Sequence, residues 1–181
     1  MAQGKEYLAP NAKKLTKWFD STTMLFKSLI VRESNVKVQQ KVLIKVLEII
    51  QHLFTLNNLN SMLSLNVALS SVLVSKLKIL WDSVKSVGKL KQNFEKINKL
   101  CSPDGNFKKL RKVVESNPGP IVPYLGMYFQ ELIYADEQNP KMTENGLFNC
   151  NRIRKIGRIL QIMKTCQDLP YEEINNKKHT A

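Results

Sequence analysis

Asp136 and Glu137, side by side at the end of the apolar segment PYLGMYFQELIYADEQNP (residues 123–140), come nearest in this chain to a reactive pair. General acid–base chemistry needs two carboxyl groups that converge on one reacting atom, whereas neighbours on a helix point in different directions. The adjacency therefore argues against a hydrolase. Imidazole comes only from His52 and His179, far apart in sequence, and each reads as a surface or partly buried side chain. Cys101, Cys150 and Cys166 are odd in number and fall at no metal-ligand spacing, which predicts reduced, mostly structural thiols. The sequence contains no Gly-rich phosphate loop, His-Glu-x-x-His motif, Cys-x-x-Cys pair or serine nucleophile elbow, so neither a metal nor a cofactor is expected. What the segment does offer is a surface. Ile133 and Glu137 lie one helical turn apart on one flank. From residue type alone, a core-facing Ile133 and a solvated Glu137 at a helix end are the simpler reading.

The elements that must hold this segment read almost throughout at helical period, and no run alternates apolar and polar residues long enough for a sheet. The expected fold class is all-α. A first helix is predicted over residues 13–31, with Leu15, Trp18, Phe19, Phe26, Leu29 and Ile30 on its buried side. Ser34-Asn35 supplies an N-cap for a second, striped by Val38, Val42, Val46, Ile49, Ile50 and Leu53 and ended by Asn57-Asn58. Leu59, Met62, Leu63 and Val67 mark a third. Beyond a turn at Ser70-Ser71, Leu73, Leu77, Leu80 and Trp81 mark a fourth. Val87, Leu90, Phe94, Ile97 and Cys101 make a nearly heptad fifth, closed by the turn Ser102-Pro103-Asp104-Gly105. Phe107, Leu110 and Val114 form a short sixth, which Asn117-Pro118-Gly119-Pro120 ends.

Residues 122–166 then read as a helical hairpin. Its first helix carries Leu125, Tyr128, Phe129 and Leu132 at three- and four-residue spacing and runs to about Asp136. A polar loop through Asn145-Gly146 leads to a second helix with Ile153, Ile156, Ile159, Leu160 and Met163, stopped by Gln167-Asp168-Leu169-Pro170. The closing NNKKHTA is expected to fray.

With 181 residues, 43% of them apolar, and no internal repeat or long linker, the chain suits one compact helical domain. Polar residues break every apolar run before membrane-spanning length and MAQGKEYLAP lacks a signal-peptide core, which predicts a soluble, cytoplasmic protein. The net charge of +13 is the compositional oddity, and it favours acidic partners: nucleic acid, an anionic membrane or an acidic protein face. Lys and Arg are spread along the chain with no arginine-rich block and no interleaved aromatic platform. A solvated basic surface is thus the plainer reading, and no specific nucleic acid is expected.

These residues also carry a resemblance. Residues 123–140 resemble the first hairpin helix in the catalytic domain of Ras-type guanine nucleotide exchange factors (RasGEF), and the likeness runs in order over roughly residues 12–171. Asn58-Leu59-Asn60-Ser61, within LNNLNSMLSL, is similar to that family's Asn-x-Asn-Ser helix start, and Ser75-Lys76-Leu77 with Trp81 resembles its Ser-Arg-Leu segment. Residues 100–126 resemble the stretch leading into the hairpin. Arg152, Arg154 and Lys155 resemble the basic start of its second helix, and Gln167 with Pro170-Tyr171 its end.

The resemblance implies a helical bundle with a protruding hairpin, acting as an exchange factor. Such a protein binds a Ras-family GTPase, most tightly when the GTPase is nucleotide-free, and speeds GDP release without covalent chemistry or a cofactor. Ile133 matches the apolar side chain, and Glu137 the acidic one, that the family places into the magnesium and phosphate site. Asn139, Lys76 and Asn60 match GTPase-facing positions, although a helix-capping role explains Asn60 equally well. Leu125 and Phe129, with Tyr124 and Leu132, support the hairpin, and Leu125 and Phe129 are also candidates for the pocket that receives the second switch region.

Three residues depart from the family's pattern. Lys76 stands for Arg, Gln138 for a Gly suited to a left-handed helix end, and Cys150 for Phe, whose space Phe148 is expected to fill. The family's domain begins several helices earlier, so the chain reads as lacking the first helices, which leaves residues 15–30 short of cover. Two other readings stay open: a noncatalytic GTPase-binding or scaffold remnant of the same fold, and a basic helical binder of nucleic acid or anionic membrane. A cytoplasmic monomer, with membrane recruitment through its basic charge, completes the expectation.

Overall fold

Asparagine side chains decide where several elements of this chain begin. The computed structural model describes residues 9–84 and 89–172. Val87, His179 and the expected frayed end NNKKHTA lie outside the described residues. Among those residues the elements are α1 (Pro10–Val31), α2 (Val36–Thr55), α3 (Leu59–Ser70), α4 (Val72–Ser75), α5 (Lys78–Val84), α6 (Lys89–Leu100), α7 (Asp104–Ser116), α8 (Leu125–Glu137) and α9 (Cys150–Asp168). No strand occurs among the described residues beyond isolated bridge residues, such as Met142 opposite Phe148, so the all-α expectation holds. The chain divides into two compact units, Met1–Arg111 and Lys112–Ala181.

In the first unit α3 is the central helix, with nine of its residues buried from Leu59 to Leu69 and α1 and α2 packed against it. Enclosure on all sides requires a helix that is apolar nearly all round. Each fully buried leucine there contributes roughly 1.5–3 kcal/mol. The Asn58 carboxamide starts α3 by accepting from the Ser61 amide at 3.0 Å, and Asn35 starts α2 by accepting from Lys37 and Val38. Asn57 turns the chain between α2 and α3 in the left-handed region, at φ 55°, which asparagine tolerates better than most residues.

Packing narrows the predicted stripes. Ile30 of α1 is fully buried and Leu15, Phe19 and Phe26 are half-buried, but Trp18 and Leu29 are exposed. With Leu25 they form an outward apolar face at i, i+7 and i+11. The core face of α2 is Leu43, Val46, Leu47 and Ile50, because this helix packs on α3, α5 and α6 together; Val38, in its first turn, is exposed. Val67 likewise points outward from α3.

The predicted fourth helix is two, since the Lys78 amide bonds the Lys76 carbonyl at 2.8 Å and redirects the chain, leaving Leu73 exposed. Trp81 then donates its indole N–H to the Val74 carbonyl at 3.0 Å and stacks on Phe94 of α6. Phe94, Ile97 and Cys101 are buried as expected. At the start of α7, Gly105, Asn106 and Phe107 are left-handed, so Phe107 belongs to a turn and not to a right-handed helical face. In the second unit Asn117 fastens the loop before the hairpin by donating to the Gly119 and Pro120 carbonyls, and α8 packs on α9.

Candidate functional site

The hairpin is built on α8. Its inner face is Met127, Tyr128 and Ala135, all buried, with Leu125, Phe129 and Leu132 half-buried beside it. Ile133 lies on the opposite face and is 38% exposed, and Glu137 follows one turn on, also exposed. A core-facing Ile133 is thereby ruled out. The Glu137 side chain makes no hydrogen bond or ion pair with any described residue, although it sits in the last turn of α8, where the helix dipole disfavours an anion by about 0.3–1 kcal/mol. An unpaired acid at the electrostatically wrong end of a helix, beside an exposed branched apolar side chain, suits a group whose partner lies on another molecule.

Charged and amide side chains fasten the two helices together near this pair. The Arg152 guanidinium of α9 pairs with the Asp136 carboxylate, and Lys155 donates to the Asn139 carboxamide at 3.2 Å. The other end of Asn139 donates to the Ala135 carbonyl at 2.9 Å, which satisfies one of the open acceptors at the end of α8. Asp136 and Glu137 thus divide their work: the first binds within the hairpin and the second stays free. Gln138 adopts a right-handed conformation, at φ −84°, so the expected need for glycine at this helix end does not arise.

At the other end of α8, Tyr124 lies across Gly126. A Cβ on Gly126 would come within 2.4 Å of the tyrosine ring, so a larger residue there would push the Tyr124 ring aside. Asn149 starts α9 by accepting from the Asn151 and Arg152 amides. Ile159 is buried on the inner side of α9, but Ile153 and Leu160, two turns apart, face outward. Cys150 is exposed and so is Phe148, at 73%, which corrects the expectation that Phe148 fills a space left by Cys150.

Lys76 and Asn60 lie in the first unit. Lys76 is exposed just after α4, whereas Asn60 is 3% exposed in the first turn of α3. The cap of α3 is Asn58, not Asn60. Of the features missed by sequence reasoning, the Asp136–Arg152 and Asn139–Lys155 pairs had a signal, a complementary pair of positions on each side of the predicted hairpin loop. The Tyr124–Gly126 contact had none.

The thiols are all free. Burial pushes Cys101 up to about 12, and Cys166 is raised by the same cause. No group of three or more His, Cys, Asp or Glu side chains among the described residues could hold a metal ion.

The profile of the RasGEF domain matches residues 1–154. Over 172 residues, 95% of this chain, the sequence is 31% identical to Ras-specific guanine nucleotide-releasing factor 1 of Rattus norvegicus. It is 30% identical to the Homo sapiens protein of that name over 97% of the chain, and 29% identical to Ras guanine nucleotide exchange factor P of Dictyostelium discoideum over 93%. The chain spans only 14% of the length of the first two relatives and 11% of the third.

Proposed function

Because this chain belongs to the RasGEF domain family, we propose that it is a guanine nucleotide exchange factor that promotes GDP release from a Ras-family small GTPase. The observation that carries this reading is the outward pair Ile133 and Glu137, adjacent turns of one helix face, with Glu137 unpaired. A GTPase holds its nucleotide through magnesium and through backbone amides that cradle the phosphates. A branched apolar side chain placed where the cation belongs withdraws the charge that neutralises those phosphates. The Glu137 carboxylate beside it accepts the vacated hydrogen bonds and repels the phosphate. No covalent bond changes.

Leu125 and Phe129, half-buried on α8, are proposed to line the seat for the second switch region, and Asn139 and Lys76 to add polar contacts to the GTPase. Asn60, being buried, acts in this reading by holding the first turn of α3 in place. Linkage makes the coupling reciprocal: what weakens nucleotide in the complex equally weakens this protein on a nucleotide-bound GTPase, so tight binding is expected only to the nucleotide-free form. A ten-thousand-fold acceleration would require about 5.5 kcal/mol of differential stabilisation, within reach of an apolar wedge plus several charge-assisted bonds. The setting is proposed to be cytoplasmic, with the chain acting as a monomer and without specific nucleic acid.

The test is release of a fluorescent GDP analogue from a panel of Ras-family GTPases. The unaltered chain is expected to accelerate release from at least one of them, and Ile133→Asp or Glu137→Lys to lower that rate by roughly a hundredfold, about 2.7 kcal/mol. If no GTPase responds and none is captured even without nucleotide, the reading is wrong. Capture without acceleration would instead leave a noncatalytic GTPase-binding protein.

A further inference from the structure

The loop that joins α8 to α9 ends in a prong of large apolar side chains. Met142, Leu147 and Phe148 are 45%, 67% and 73% exposed. The backbone holds them there. Thr143 donates its amide to the Leu147 carbonyl at 2.7 Å, Leu147 donates back to the Thr143 hydroxyl, and Gly146, left-handed at φ 72°, donates to the Thr143 carbonyl. Asn149 donates its amide to the Lys141 carbonyl at 3.1 Å and its side chain to the Pro140 carbonyl at 3.0 Å. The antiparallel bridge sets Met142 opposite Phe148, so these two side chains leave on the same face.

Exposed apolar side chains scattered singly need no explanation; three on one fastened turn, unused by the exchange reading, do. Their surroundings are basic. Between residues 138 and 158 the charged side chains are Lys141, Arg152, Arg154, Lys155 and Arg158 against Glu144 alone. Arg152 is occupied by Asp136 and Lys155 by Asn139, while Lys141 and Arg154 are exposed.

We propose that this tip inserts into an anionic lipid bilayer, with Met142, Leu147 and Phe148 entering the headgroup and acyl boundary and Lys141 and Arg154 meeting lipid phosphates. A convex prong needs a matching pocket on a protein partner, but a fluid apolar layer accommodates it without one. The amides of Thr143, Gly146, Leu147 and Asn149 are bonded within the loop, so these four are not stripped of water on entry. Apolar area and cationic attraction to anionic lipid then act together, the combination by which peripheral elements hold a membrane.

The test is co-sedimentation of the full chain with vesicles of phosphatidylcholine alone or with about 30% phosphatidylserine. Binding is expected only to the anionic vesicles, weakened by Lys141→Glu and reduced roughly tenfold in the double variant Leu147→Glu/Phe148→Glu. Circular dichroism of the double variant should be unchanged, because both side chains are exposed. Equal vesicle binding by the double variant and the unaltered chain would overturn the proposal, leaving charge alone; so would absence of binding. A double variant that keeps vesicle binding but loses exchange on a soluble GTPase would assign the tip to the GTPase. The readout is lipid binding, so it stands whether or not any GTPase responds.

Discussion

Exposure is what separates Ile133 and Glu137 from the inner face of α8. Five residues earlier Tyr128 is 1% exposed, yet both are large side chains on one helix, and only the turn of the helix sends one inward and the other out. Cys101 shows the same dependence on position in the opposite sense. It is 4% exposed, and burial without a charged partner raises its thiol from an ordinary value of 9.0 to about 12. The folded state therefore keeps this proton over a range in which the unfolded chain has lost it. Stability is intact below pH 9 and declines as pH rises towards 12, by up to about 1.4 kcal/mol per pH unit. Denaturant midpoints measured from pH 8 to 11 should fall, and Cys101→Val should flatten that slope. An equally steep fall in the variant would assign the loss to other groups.

At the scale of the element, the hairpin can act as the proposed wedge only if its two helices keep their register. Asp136 and Arg152 hold it, and the Arg152 Nε is buried with no hydrogen-bond partner among the described residues. Removing Asp136 would leave a partly buried guanidinium still less satisfied, at a cost of about 1–3 kcal/mol. Asp136→Ala and Arg152→Ala are each expected to lower the exchange rate more than they lower stability, since the pair fixes the end of α8 that carries Glu137. In the swapped double variant Asp136→Arg/Arg152→Asp, the release assay should recover a large part of the loss. A loss in the swapped variant as large as the losses of Asp136→Arg and Arg152→Asp added together would show that the pair does not position the wedge. Asn139 and Lys155 act one turn further along in the same way.

Over the whole molecule, the excess of 28 Lys and Arg over 15 Asp and Glu matters for encounter more than for fold. If the proposed GTPase presents an acidic face, association should slow several-fold between about 50 and 300 mM salt, with most of the change in the on-rate, and surface plasmon resonance on nucleotide-free GTPase would measure it. A salt-independent on-rate would mean that the charge serves another partner. Much of this protein was legible beforehand, because helix period, the asparagine cap at Asn35 and the turn at Ser102-Pro103-Asp104-Gly105 are local signals that act within a few residues, whereas the cap of α3 fell on Asn58 and not on the expected Asn60. The all-α class, the hairpin and the one-turn spacing of Ile133 and Glu137 followed from the sequence by itself. Burial was less legible: Trp18 and Leu29 match Ile30 in type but differ from it in exposure, and Phe148 stands out in solvent where a filled space was expected. Which face of a helix is covered depends on neighbours distant in sequence, as does the meeting of Asp136 with Arg152. Only tertiary structure decides those, because packing and charge pairing act through space while periodicity and capping act along the chain.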